Sequence, residues 1–65
     1  VTISLRAKEL AIETPYTAQS IQITLEELTS DPRVDEALAV DMIRLAARHW
    51  WSLPELLRVF RVARA

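Results

Sequence analysis

Apolar and polar positions alternate over the first eight residues. Val1, Ile3, Leu5 and Ala7 fall on one side, and Thr2, Ser4, Arg6 and Lys8 on the other. A period of two is the mark of a half-buried strand. It returns at Ser20–Leu25, where Ile21, Ile23 and Leu25 alternate with Ser20, Gln22 and Thr24. Between them, KELAIETPYTAQ suits either element. Leu10 and Ile12 extend a strand, LRAKELA favours a helix, and Pro15 breaks both. Two strands, with room for a third, are expected over residues 1–24. Neither Gly nor Asn is present to take the positive φ of a two-residue hairpin. The strands should therefore join through a longer loop or pair with a second molecule, which would also cover an open edge.

From Thr24 onward the period lengthens to that of a helix. TLEE and SLPE both fit the capping box, a Ser or Thr followed three residues later by Glu. Thr24–Glu27 is expected to open a short helical turn ending near Ser30. Asp31 then caps a long helix with Pro32 at its first position, and Asp35 and Glu36 lie in its positive first turn. Ser52–Glu55 opens a last helix. At about 100° per residue, Val34, Leu38, Ala39, Met42, Ile43, Leu45, Ala46 and Trp50 spread over half the long helix, which calls for two packing partners. The expected fold is thus α+β: one small domain over residues 1–65, strand and loop to residue 24 and helical from residue 25. Dimerisation is expected as well.

Size sharpens that expectation. The chain has 65 residues, of which 51% are apolar, and no cysteine. A domain this small buries only about 60% of its unfolded surface, so apolar area should be left over for a second copy or a protein partner. No apolar run reaches the roughly 18 residues of a membrane span, and no signal-peptide pattern opens the chain. A cytoplasmic location without a membrane is expected. Val1 in place of Met fits a piece of a longer protein. Net charge is −1, unevenly spread. Residues 1–40 carry three Lys/Arg and seven Asp/Glu, whereas residues 41–65 carry five Arg against Asp41 and Glu55. Ordinary solvated helix faces account for this, and so would an acidic partner at the C-terminal end.

The chemistry-bearing residues gather in RHWWSLPELL, Arg48–Leu57, which holds the only His and both Trp. His49 continues the apolar face without a carboxylate one turn away, so no metal or other cofactor is expected. Its expected work is to complement the last carbonyls of the long helix. Trp50 should pack inside the helix–helix corner. Trp51 should face outward beside Arg44 and Arg48, with Arg48 able to stack on the indole. Arg44, Arg48, Trp51, Arg58 and Arg61 are therefore the candidate partner-binding residues, against the plain alternative of core filling with exposed arginines. No nucleophile with a base, buried carboxylate pair or phosphate loop is visible, so no enzyme is expected.

A protein-interaction module follows: an adaptor, docking domain, inhibitor or assembly subunit, binding a protein or a second copy of itself. The alternative is a dimeric DNA-binding regulator. In a helix-turn-helix the last helix would present Leu53-Pro54-Glu55 to base edges, a poor reading surface. In a ribbon-helix-helix arrangement Thr2, Ser4, Arg6 and Lys8 would read the major groove, or else Ser20, Gln22 and Thr24. A net charge of −1 attracts phosphate weakly, and nucleic acid is not the favoured partner.

Overall fold

Ser4, Thr17, Asp35 and Ser52 each turn a side-chain oxygen onto the backbone N–H three residues ahead. The acceptors lie 3.2 Å from Ala7 N, 3.2 Å from Ser20 N, 2.8 Å from Leu38 N and 3.3 Å from Glu55 N. Each satisfies an amide that a helix start would otherwise leave unpaired. A helix follows each of the four. The computed structural model, which describes residues 2–64, runs α1 (Leu5–Glu13), α2 (Ala18–Thr29), α3 (Glu36–Arg48) and α4 (Leu53–Arg64).

The fold is therefore all-α, and the expected α+β architecture is wrong. Among the described residues there is no strand; Val1, the first residue of the expected alternation, lies outside them. Helical pitch selects a different set of inward residues from the same segments. In α1, Ala7 and Leu10 are fully buried, whereas Leu5 and Ile12 are 77% and 87% exposed. In α2, Ile21, Thr24, Leu25 and Leu28 are buried and Ile23 faces out. Thr24 is the residue that made the second alternation look like a strand. Its hydroxyl donates to the Ser20 carbonyl at 2.8 Å, so inside a helix it needs no other partner and packs by its methyl group. The capping role expected of it at the start of a short turn passes to Thr17, seven residues earlier.

The second correction concerns the start of the long helix. Asp31 does not cap it. Asp31–Val34 forms a turn closed by the Val34 N–H on the Asp31 carbonyl at 2.9 Å, with Pro32 at the second position, where its fixed φ fits. The Asp31 side chain accepts the Arg33 backbone N–H at 2.9 Å and two guanidinium N–H groups at 3.1 and 2.9 Å. Four residues are spent reversing the chain, and Asp35 then caps a helix of 13 residues. The Arg33 bonds push the Asp31 carboxyl down to about 2 from an ordinary 3.8. A depressed carboxyl stabilises the fold fully above its unfolded value and loses that contribution as pH falls through the folded one. Acid titration of unfolding should therefore show a component between 3.8 and about 2. Asp31→Asn should remove it; an unchanged acid limb in the variant would contradict the assignment.

Helix α2 lies centrally, against α1, α3 and α4, while α3 and α4 touch each other less than either touches α2. One core joins all four helices, with Leu10, Ile21, Leu25, Leu28, Ile43, Leu53, Leu56 and Phe60 as its large members. Polar ties fasten its edges. Arg44 holds Glu13 through two bonds of 3.2 and 3.1 Å, linking α3 to α1. Arg61 Nε holds Glu27 at 2.7 Å, linking α4 to α2. The Tyr16 hydroxyl donates to the Trp51 carbonyl, so the α1–α2 loop braces the α3–α4 corner. Partial burial raises the Tyr16 pKa above its ordinary value.

Candidate interaction site at the α3–α4 corner

The corner between α3 and α4 is made without glycine, and this shapes what it exposes. Helix α3 closes on a pair of reversed hydrogen bonds, Trp51 N–H to Ala46 O at 2.9 Å and Trp50 N–H to Ala47 O at 3.2 Å. This is the Schellman arrangement, which demands a left-handed residue just past the C-cap, usually Gly. His49 is the C-cap and Trp50 takes the left-handed place with φ 61°. A bulky side chain there is strained. The same backbone geometry throws Trp50 outward, 89% exposed, where the sequence placed it inside the corner. His49, expected on the apolar inner face, is exposed as well.

Trp51 turns the other way, into the angle between the helices. With Met42, Leu45, Ala46, His49 and Leu56 it lines a cavity of about 200 Å³ whose exposed surface is entirely apolar. A second, more open depression continues from Trp51 along α4 past Glu55, Arg58, Val59, Val62 and Ala63. The two meet at Trp51; α3 walls the first together with Leu56 of α4, and α4 alone walls the second. Leu45 (55%) remains exposed at the first, and Val59 (50%) and Val62 (72%) at the second. The wide apolar face read from the sequence is real, but its inner half differs. Ala39, Val40, Ile43 and Ala46 are buried, and Met42, Leu45 and His49 are left lining the cavity.

The five candidate residues separate accordingly. Arg44 and Arg61 are occupied by Glu13 and Glu27, and the Arg44 guanidinium has its pKa raised by the Glu13 bonds. Arg48 and Arg58 have no ion-pair partner among the described residues, and Trp51 lines both depressions. Arg58 lines the second depression beside Glu55, and Arg48 is exposed one turn from Leu45. The expected stack of Arg48 on Trp51 is replaced by Arg64, whose guanidinium sits 5.3 Å from the centre of the Phe60 ring.

The residues considered for DNA reading form no ribbon. Ser4 caps α1 and its N–H donates to Gln22 Oε1 at 3.1 Å, Arg6 pairs with Glu9 and Glu36, and Thr24 is buried. Sequence reasoning missed Met42, Leu45 and Val59 as site residues. The signal was present, since an apolar arc wider than one packing stripe must expose one of its halves. Among the described residues no three His, Asp or Glu side chains gather where a metal could bind, and no helix is long and apolar enough to cross a membrane. Comparison with protein-family models, curated protein sequences and solved structures finds no match to this chain.

Proposed function

We propose that the chain is a non-enzymatic protein-interaction module that binds through the α3–α4 corner. One observation carries the reading: an apolar cavity between α3 and α4, joined at Trp51 to an open depression along α4, lies beside a core shared by all four helices. Contiguous apolar patches of this kind mark interaction sites. Trp50 supports it. A tryptophan held in strained backbone and almost wholly exposed contributes nothing to the core of this fold, yet aromatic side chains are the commonest anchors of protein interfaces. Pairing through strands has no strand to act through among the described residues, so the binding surface is helical. The lack of cysteine suits a reducing compartment, and a cytoplasmic setting is part of the proposal.

Leu45→Glu tests the reading without touching the core, because Leu45 is 55% exposed. The wild-type domain should retain a specific protein from an extract of its source cell, or self-associate in sedimentation, and the variant should lose that property at unchanged helix content. Retention of the same proteins by both, or salt-sensitive retardation of duplex DNA by the wild type, would reject the module in favour of another role.

A further inference from the structure

We infer that the Tyr16 hydroxyl is a latch: it keeps the α3–α4 corner in its strained form, and without it Trp50 leaves the left-handed region and Trp51 shifts in the cavity. Such a latch sets the shape of the corner whatever binds there, so it stands apart from the docking role proposed above. Strain of this kind persists only where surrounding contacts over-determine it. At Trp50, with φ 61°, the side chain supplies almost none of them, since it is 89% exposed. Hydrogen bonds must do the holding. Two are local, from Trp50 N–H to Ala47 O and from Trp51 N–H to Ala46 O, and both return to the last turn of α3. The third comes from outside. Tyr16, between α1 and α2, donates its hydroxyl to the Trp51 carbonyl. Among the described residues it is the one hydrogen bond that ties residues 49–52 to the α1–α2 half of the molecule. The Tyr16 ring packs against the shared core, which fixes where the hydroxyl stands.

Magnitudes make the third bond decisive. Strain at a residue with a Cβ favours release by about 5- to 30-fold, and a neutral hydrogen bond opposes it by about 2- to 12-fold. Three such bonds outweigh the strain. Two leave the corner near balance, so removal of the hydroxyl should let it open. Release cannot simply merge α3 with α4, because Pro54 has no N–H to return to the Trp50 carbonyl and its ring would clash there. Trp50 must instead extend. Trp51, which lines both the cavity and the depression along α4, moves with it. One hydroxyl on the α1–α2 loop thereby sets the shape of a surface built by α3 and α4.

Tyr16→Phe keeps the ring in place and deletes only the donor. In NMR spectra of the intact domain, the close amide–Hα contact within Trp50, the mark of a left-handed residue, should fall to about half its intensity. The Trp51 indole signal should move at the same time. Adding Trp50→Gly to Tyr16→Phe should bring that signal back to its wild-type position, because without strain the two local bonds suffice. An unchanged Trp50 contact in Tyr16→Phe would overturn the latch. So would a Trp51 signal that stays displaced in the double variant, which would make Tyr16 a direct support of Trp51 and no more. Failure of both variants to fold would overturn it too, since Tyr16 would then act through the core.

Discussion

Leu10→Ala should remove about 2–5 kcal/mol of stability, whereas Leu5→Ala and Ile12→Ala should each stay within about 0.5 kcal/mol of the wild type. Leu10 is fully buried between α1 and the rest of the core, and truncation there leaves a cavity lined by apolar neighbours that cannot collapse freely. Leu5 and Ile12 lie on the same short helix but point into water. A 65-residue domain has only about 3–10 kcal/mol to lose, at roughly 0.05–0.15 kcal/mol per residue. Leu10→Ala should therefore be largely unfolded or nearly so at 37 °C. Urea unfolding of the three variants reads the result directly. Comparable losses at Leu10 and Ile12 would mean that the segment is paired as a strand, because those two share one face at period two and part company only at period 3.6.

The second large effect runs in the opposite direction. Trp50→Gly should raise stability by about 1 kcal/mol. A left-handed conformation costs a residue with a Cβ roughly 1–2 kcal/mol, and part of that gain is offset by the greater freedom of Gly in the unfolded chain. With Trp50 89% exposed, almost no packing is lost in exchange. For a domain of this size 1 kcal/mol corresponds to about 4–8 °C in Tm. Trp50→Ala is the control, since it keeps the Cβ and should leave Tm nearly unchanged. If Gly and Ala behave alike, the backbone at Trp50 is not strained. Should Trp50 also anchor a partner, the glycine variant will be the more stable protein and the weaker binder, the usual exchange between strain and function.

The C-terminal half of this fold is legible from the sequence because its signals are local. Ser52 with Glu55 marks the start of α4, and an uninterrupted apolar period carries both α3 and α4. The N-terminal half misleads for an equally local reason. Over six to eight residues a period of two and a period of 3.6 share many positions, and Ile21 and Leu25 satisfy both. Ser4 and Thr17 were the decisive caps, but neither is followed three residues on by Glu or Gln, so neither completes the reciprocal box. Asp31 and Asp35 pose a similar choice four residues apart. Nothing in their immediate neighbours shows that the first is consumed in reversing the chain between α2 and α3.

Sequence alone determined a glycine-free, cysteine-free chain with more apolar surface than it buries, an amphipathic third helix, though not its start, and a capped final one. Tertiary structure decided which half of each apolar arc goes inward. Helix α2 takes the centre, and Ala39, Ile43 and Ala46 of α3 go into the shared core together with Leu53, Leu56 and Phe60 of α4. Leu45 is left at the cavity between α3 and α4, Val59 at the depression along α4, and Trp51 where the two meet. Amphipathic pattern states how much of a helix is apolar, but only the position of its neighbours determines which part they cover.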